Sequence, residues 1–268
     1  MKVLIAHNEY KISGGEETAV SNKIKILKEN GIQVKVFSKN NIFINSVIKQ
    51  IAVAFSSIFS FKVAKEFDRI LEEYNPDIIE VHNFFPLMSP SIFYIAKKRK
   101  VPIIYYLHNY RIICGSSFLS FDNECCEKCK GNFFLSIFNR CYKRSYLGSF
   151  FLSVQNLIHS KILNTWDKKV DYFIIMNQRN IHYYTKFGIK RNKILYLPHF
   201  SFMKKSPPGS KEGFALFVGR LSKEKGILTL LKAWENINYP LKIIGELNSS
   251  DKELIERLNR ENKFIEKI

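Results

Sequence analysis

The chain of 268 residues carries 42 Lys and Arg against 24 Asp and Glu, a formal charge of +18, and 46% of its residues are hydrophobic. An intrinsically disordered chain is excluded, because 23 Phe and 13 Tyr provide enough apolar surface to bury. No stretch reaches the ~20 apolar residues that span a bilayer, and the first apolar run is shorter than a signal-peptide core. We therefore expect a folded, cytoplasmic protein of one large or two medium domains.

The first elements predict a β-α-β unit. The apolar run KVLIA ends in the turn HNEYKISGGEE, and a helix with one apolar face follows, with Gly31 as its C-cap. IQVKVFS is a strand by its β-branched and aromatic content. Residues 42–73 then have the apolar spacing of helices.

Further strands are predicted at NPDIIEVHN, VPIIYYLHN, DYFIIMN and KILYLP, with helices at SPSIFYIAKKRK and 178–187. Short strands that alternate with helices over about 200 residues are typical of a parallel, doubly wound sheet. We therefore predict an α/β, Rossmann-like N-terminal domain over residues 1–203.

Prolines and glycines in KKSPPGSKEG indicate a linker over residues 204–211. After it, FALFVGR, KGILTLLKAWENI, PLKIIGEL and SSDKELIERLNREN predict a strand, a helix, a strand and a helix. Two strands are too few to bury a parallel sheet on both faces. Residues 212–268 are therefore expected to begin a second Rossmann-like domain that is incomplete.

Three His-Asn pairs follow predicted strands, beginning at His7, His82 and His108. Open α/β sheets bind ligands outside the carboxyl ends of their strands, so these pairs predict a polar crevice at that edge. A single histidine at such a position more often has a structural role than a catalytic one. Three in equivalent positions favour the crevice.

Two loops have the composition of phosphate sites. Gly14 and Gly15 lie between a strand and a helix, where exposed N–H groups and the helix dipole favour an anion. Their loop matches neither G-x-G-x-x-G nor the Walker pattern, which disfavours NAD and P-loop chemistry. In GRLSKEKG, Arg220 leaves a strand and Lys225 precedes a helix, a geometry suited to a diphosphate. A solvated basic loop is the alternative interpretation of the same spacing.

In their order and spacing, HNEYKISGGEE, VHNFFPLMSPSI, LHNYRIIC and GRLSKEKG resemble the retaining glycosyltransferases of family four, which have the GT-B fold. The resemblance runs from Met1 to Ile268. It implies two Rossmann-like domains that face each other across a cleft. The N-terminal one would bind a polysaccharide or lipid-linked glycan acceptor, as in bacterial surface polysaccharide assembly, and the C-terminal one a UDP- or GDP-linked sugar.

The resemblance also implies roles for single residues. Arg220 and Lys225 would bind the donor diphosphate, and Gly14 and Gly15 would contact donor phosphate or acceptor. His108 is the catalytic candidate beside the transferred sugar. The expected acceptor cleft contains His7, His82, Asn83 and Asn109. Enzymes of the GT-B type usually need no Mg²⁺, so no catalytic cofactor is expected.

Two departures from the family pattern bear on activity. Family members carry two Glu separated by seven residues further along the donor domain, and this chain ends before any such motif, which predicts a C-terminal truncation. His199 stands where the family more often has Asn. The alternative to a transferase is therefore a non-catalytic remnant that binds an acceptor or a partner.

Four of the five cysteines have a regular spacing. Cys114, Cys126, Cys129 and Cys141 are separated by eleven, two and eleven residues. Four thiolates at such spacing can hold a structural Zn²⁺ tetrahedrally, with Cys125 as an alternative ligand. The resemblance to family four covers this loop, since some polysaccharide-assembling relatives have similar cysteines. The alternative is a set of reduced cysteines that bind no metal.

The positive charge is concentrated in residues 1–210, which carry +16 against +2 for residues 211–268. Residues 132–163 combine Phe pairs with basic residues, a composition typical of an amphipathic helix on an anionic membrane or of a core helix with a basic face. Residues 42–65 are a second candidate. We therefore expect a peripheral protein on the inner face of the membrane. Nucleic acid is disfavoured as a partner, because no RNP, KH, zinc-finger or helix-turn-helix pattern accompanies the charge.

Overall fold

The computed structural model describes residues 1–9, 14–40, 47–122, 124–130, 132–202, 213–222, 225–246 and 265–267. The chain divides into two compact units, Met1–Phe202 and Met203–Ile268. The linker predicted over residues 204–211 and the helix predicted at SSDKELIERLNREN lie outside the described residues.

The strands, in chain order, are β1 (Lys2–Glu9), β2 (Gln33–Asn40), β3 (Ile78–Asn83), β4 (Ile103–Tyr106), β5 (Ser120–Phe121), β6 (Glu124–Cys125), β7 (Tyr172–Ile175), β8 (Ile194–Tyr196), β9 (Ala215–Val218), β10 (Leu241–Ile244) and β11 (Ile265–Lys267). The helices are α1 (Gly15–Glu29), α2 (Val47–Ile58), α3 (Phe61–Tyr74), α4 (Ser91–Lys98), α5 (Leu135–Phe138), α6 (Tyr146–Leu157), α7 (Thr165–Lys169), α8 (Asn180–Lys186) and α9 (Ile227–Trp234).

The first unit is built on one parallel sheet with the strand order β2-β1-β3-β4-β7-β8. Successive side chains of β1 point to opposite faces. Val3 and Ile5 pack with Val20 of α1, whereas Leu4 and Ala6 belong to the large core on the other face. Helices therefore cover both faces of the sheet, and the predicted doubly wound α/β fold is confirmed.

Several boundaries differ from the sequence prediction. His7 pairs with Ser38 inside β1, and His82 lies inside β3, so these histidines end their strands rather than follow them. The helical stretch predicted over residues 42–73 is two helices within its described part. Its break lies at Ser60, whose hydroxyl accepts a hydrogen bond from the Val63 N–H at 3.3 Å and caps α3.

The second unit contains a parallel sheet in the order β11-β10-β9 and the helix α9. The prediction of only two strands was wrong, because β11 pairs with β10. A strand of three residues is too short for its alternation to be distinguished by sequence. The buried side chains of this small core, among the described residues, are Leu221, Ile227, Leu231, Leu241 and Ile243.

Within the described ranges, we find no helix whose length and apolar content would let it cross a bilayer.

Candidate functional site at the carboxyl edge of the sheet

Three predicted histidines meet where neighbouring strands end. His7 lies near the end of β1, His82 near the end of β3, and His108 two residues after β4. The His82 Nδ1 and His108 Nε2 atoms are 2.9 Å apart, and the His7 and His82 rings are 6.5 Å apart, edge to face. The His199 ring stacks on His108 at 5.6 Å. The structure therefore brings these four histidines together.

Burial controls the charge of this cluster. Burial, together with the neighbouring histidines, lowers the pKa of His108 to about 2. Burial also lowers the pKa of His82, although Glu80 opposes this effect with its Oε2 atom 3.7 Å from His82 Nε2. Both rings are neutral at physiological pH, so each has one donor and one acceptor nitrogen. His108 is thus suited to a hydrogen bond with a hydroxyl group and not to the role of a charged acid.

Tyr106 and Lys23 contact the His82 ring and its neighbour Glu80, respectively. Tyr106 stacks on His82 with ring centroids 4.3 Å apart. Lys23 Nζ lies 3.4 Å from Glu80 Oε1, so the buried carboxylate has a cationic partner. Such a partner offsets part of the cost of burying the charge. These contacts hold the orientation of the His82 ring.

Glu16 adds an acidic group that sequence reasoning did not single out. Its Oε1 atom is 3.7 Å from His7 Nδ1. Burial and the charge of Glu17 raise the pKa of Glu16 to about 8, while Arg111 opposes this shift. Glu16 is therefore largely protonated at neutral pH and can donate a hydrogen bond. The available signal was the pair of acidic residues directly after the two glycines.

The loop glycines differ in their surroundings. Gly14 is the N-cap of α1, and its N–H donates to Glu17 Oε2 at 2.8 Å. A Cβ atom added to Gly15 would meet no described atom within 4 Å. The first turn of α1 therefore borders open space at Gly15. The preceding residues 10–13 lie outside the described residues.

Arg111 is the second functional candidate missed by the sequence analysis. Its guanidinium carbon lies 4.4 Å from the ring centroid of Phe85 and 5.8 Å from that of Tyr142. An aromatic ring beside a guanidinium does not use its N–H donors, and Nε and Nη1 of Arg111 have no hydrogen-bond partner among the described residues. The motif LHNYRIIC contained this residue, but only the folded chain shows where it lies.

Unpaired polar atoms are concentrated at this edge. Buried side-chain atoms that have no hydrogen-bond partner among the described residues include Nδ1 and Nε2 of His7, Oε1 of Glu16, Oε2 of Glu80, Nε2 of His82, and Nε and Nη1 of Arg111. Unpaired buried polar groups cost about 1–3 kcal/mol each unless water or a ligand satisfies them. Four of these atoms face each other at 3.7 Å, His7 Nδ1 with Glu16 Oε1 and His82 Nε2 with Glu80 Oε2. The edge therefore has hydrogen-bonding capacity that water or a polar molecule can satisfy.

The predicted asparagines mainly hold the backbone of this edge. Asn83 Nδ2 donates to Asn8 O at 3.0 Å, and its Oδ1 accepts from Phe85 N at 3.0 Å. Asn109 Oδ1 accepts from Arg111 N at 3.1 Å. Their side chains thus shape the turns after the strands, which positions the neighbouring histidines and Arg111.

The predicted diphosphate residues lie in the second unit. Arg220 is exposed just after β9, and Lys225 is exposed just before α9, so both belong to one strand-to-helix connection. The Lys225 N–H donates to Ser222 O at 3.0 Å. Ser222 Oγ is buried and has no hydrogen-bond partner among the described residues. Residues 223–224 of the connection lie outside the described part.

Comparison with known proteins identifies the family. Residues 13–200 match the family model of Glycosyltransferase Family 4. The chain belongs to glycosyltransferase family 4. No curated protein matches the chain.

Solved structures show the same fold. The apo form of WaaB, a lipopolysaccharide outer core galactosyltransferase, is 16% identical with a TM-score of 0.54, and the match covers the whole chain and 67% of WaaB. HepE of Anabaena in complex with UDP is 15% identical with a TM-score of 0.58, covering the whole chain and 69% of HepE. The predicted Rossmann-like, GT-B type fold of this family 4 glycosyltransferase is thus confirmed.

The cysteines of this glycosyltransferase converge in one loop region. The Gly115 N–H donates to the Cys129 thiol, and Cys114 and Cys129 are buried. Burial and the nearby thiols of Cys129, Cys114 and Cys126 raise the pKa of Cys141 to about 11. However, no three His, Cys, Asp or Glu side chains in the described ranges are placed to hold a metal ion. A structural zinc ion therefore stays a prediction, which zinc analysis of the reduced protein can test.

Because its histidines are buried, we expect the protein to become less stable as the pH falls. Unfolded histidine titrates near 6.5, whereas folded His108 does so near 2, so the unfolded state binds more protons as the pH falls below 6.5. We expect the free energy of unfolding to fall there by up to about 1.4 kcal/mol per pH unit for each such histidine. Between about pH 5 and 6.5, the free energy of unfolding, measured with urea, should change less with pH in His108→Asn than in the wild type.

Glu16 provides a control whose effect on stability has the opposite dependence on pH. Its pKa rises from 4.5 to about 8 on folding, so the native state holds the proton and stability is lost as the pH rises through this interval. Glu16→Gln should remove that loss between about pH 6.5 and 8. Identical pH slopes in wild type and both variants would contradict the assigned burial of these groups.

Proposed function

We propose that this family 4 glycosyltransferase moves a sugar from a nucleotide sugar to a polysaccharide or lipid-linked glycan acceptor, with retention of the anomeric configuration. The observation that carries the proposal is the concentration of buried, unpaired polar groups around His7, Glu16 and Arg111 at the sheet edge. In a member of this family, such an edge suits the hydroxyl groups of sugars. The proposal includes a peripheral location on the inner membrane face, where lipid-linked acceptors lie.

The neighbours support a UDP-linked donor and a saccharide acceptor. HepE was solved in complex with UDP and also with UDP-glucose, the latter with a TM-score of 0.55 to this chain. WaaB is a lipopolysaccharide galactosyltransferase. We therefore place UDP-hexoses first among the donors to be tested and GDP-linked sugars second.

The reaction requires charge stabilisation on the leaving group. When the bond between the anomeric carbon and the phosphate oxygen breaks, the diphosphate leaves with the electron pair. The acceptor oxygen bonds the carbon, and its proton passes to the departing diphosphate oxygen. Arg220 offers a planar fork for two phosphate oxygens, and Lys225 offers a point charge. In this proposal these fixed cations stabilise the leaving group without a catalytic metal.

The sheet edge would bind the sugar part. Protonated Glu16 has a hydrogen to donate to a hydroxyl group, since burial disfavours its charged form. Neutral His108 contacts His82 through Nε2, which leaves Nδ1 to donate to or accept from a hydroxyl group according to its tautomer. Arg111 would donate hydrogen bonds to sugar oxygens from Nε and Nη1, which have no hydrogen-bond partner among the described residues. A surface that combines neutral hydrogen-bonding groups with a guanidinium suits the hydroxyl groups of a sugar.

Nucleotide release tests the proposal. The purified chain is incubated with a panel of UDP- and GDP-linked sugars, with and without a membrane glycolipid extract, and free UDP or GDP is measured. We expect release from at least one donor, increased by the extract. The absence of release from every donor would instead support the non-catalytic remnant that binds an acceptor or a partner.

A further inference from the structure

Two segments that are far apart in the sequence form one layer on the first unit. The Phe55 ring of α2 lies 4.6 Å from the Phe151 ring of α6, and Gln155 Nε2 of α6 donates to Ser57 O at 2.6 Å. Helix α6 also contacts α5, where the hydroxyls of Ser136 and Ser153 are 2.6 Å apart. We refer to the outer face of these helices as the α2–α5–α6 surface.

This surface exposes large apolar side chains. The exposed fractions are 75% for Phe138, 62% for Phe55, 60% for Tyr146, 51% for Leu147 and 45% for Phe150. Single exposed hydrophobic residues are common, but a group of them on packed neighbouring helices indicates an interaction site. The first unit therefore exposes an apolar face, and contact of this face with water is unfavourable in free energy.

The segments that form this surface carry only positive charge. Residues 47–58 and 132–163 contain five Lys and Arg and no Asp or Glu. Arg140, Lys143 and Arg144 are exposed in the turn between α5 and α6. The guanidinium carbon of Arg140 lies 5.3 Å from the Tyr146 ring centroid, so charge and aromatic surface are adjacent.

We infer that the α2–α5–α6 surface binds an anionic phospholipid bilayer, with its aromatic side chains in the headgroup region and its cations on the lipid phosphates. Charge complementarity selects this partner, because basic residues attract anionic headgroups while aromatic and leucine side chains partition into the interface. A second copy of the chain would bring two positive faces together, which is unfavourable.

The α2–α5–α6 surface is connected to the candidate site by side-chain contacts. Tyr142, which lies between α5 and α6, contacts Phe85 and Arg111 at the sheet edge. Asn156 of α6 donates to Arg111 O at 3.1 Å. A bilayer on the α2–α5–α6 surface would therefore lie next to the loop of Arg111. This link to a lipid-borne acceptor rests on the proposed function, whereas the binding itself does not.

Vesicle flotation of the full chain tests the inference. Vesicles of phosphatidylcholine alone are compared with vesicles of equal parts phosphatidylcholine and phosphatidylglycerol. We expect strong binding to the anionic vesicles that weakens as salt rises, because salt screens the attraction. In Arg140→Asn/Lys143→Asn/Arg144→Asn, partitioning should fall about a hundredfold, because each basic residue contributes about fivefold. Asparagine is chosen because these residues have φ between 46° and 54°, which it tolerates.

Two further variants separate the contributions. Phe138→Ser/Leu147→Ser keeps every charge and should also weaken binding to anionic vesicles. Arg69→Gln/Lys98→Gln/Lys168→Gln removes three exposed positive charges elsewhere on the first unit and should bind as the wild type does. Circular dichroism and thermal unfolding confirm that each variant is folded.

The outcomes are distinct from those of the donor assay. Equal binding to neutral and anionic vesicles, no binding to either, or an equal loss in the control variant would overturn the inference. A dimer in sedimentation velocity that Phe138→Ser/Leu147→Ser dissociates would assign the surface to a second copy instead. Vesicle binding without any nucleotide release would leave the inference standing and refute the proposed transferase.

Discussion

Alanine in place of Arg220 is expected to lower the rate of nucleotide release from the sugar donor by about 10²–10³-fold. Arg220 is exposed at the end of β9, where the backbone turns toward α9, and negative charge grows on the departing diphosphate during bond cleavage. Removing one preorganised donor to such a charge costs about 3–4 kcal/mol of transition-state stabilisation. Steady-state release of UDP or GDP from the preferred donor measures the effect.

Three variants provide the controls for this experiment. Lys225→Ala should also reduce release, and Arg220→Lys should fall between wild type and Arg220→Ala, since lysine keeps the charge but lacks the planar fork. Lys232→Ala removes an exposed cation of α9 outside the connection and should release nucleotide as the wild type does. Unchanged release in both Arg220→Ala and Lys225→Ala would refute the donor-site assignment.

Gly245→Ala is expected to unfold much of the second unit. A Cβ atom on Gly245 would lie 1.8 Å from the carbonyl oxygen of Gly219 and 2.8 Å from its carbonyl carbon. The clash is with backbone that is held in place, because Gly219 N donates to Ile244 O at 3.0 Å and Leu221 N to Glu246 O at 2.8 Å. Relief would require β9 and β10 to separate at their carboxyl ends.

The expected cost is about 3 kcal/mol or more, because overpacking against fixed backbone cannot relax locally. The second unit has a small buried core among its described residues, so such a cost is a large part of its stability. Limited proteolysis and hydrogen exchange should show loss of protection over β9 and β10 while the first unit stays protected. Gly15→Ala, whose added Cβ meets no described atom, is the stability control and should leave protection unchanged.

The positions of the histidines could be predicted from the sequence for a topological reason. Parallel strands all end at one edge, so residues at the ends of β1, β3 and β4 lie along the same edge, and the observed strand order makes them neighbours. The sequence also predicts that Arg220 and Lys225 lie close to each other, because both belong to one strand-to-helix connection. Such arguments place residues on elements but do not give their protonation or contacts.

Glu16 and Arg111 show the limit of that reasoning. The sequence places Glu16 in the first turn of a helix, where an acidic side chain is common for dipole reasons alone. Only burial beside His7 and Glu17 raises its pKa, and burial is a property of the folded chain. Arg111 likewise became a candidate only when Phe85 and Tyr142 were found to cover its faces.

The sequence by itself determined the α/β class, the family and the edge of the sheet that holds the candidate site, because strand alternation and motif order are local properties. It also showed two basic, aromatic segments, residues 132–163 and 42–65, and the pattern of the first was equally consistent with a core helix. Tertiary structure decided that α2 and α6 pack side by side and share one exposed face. That outcome depends on contacts between residues distant in the chain, which the pattern of either segment does not contain.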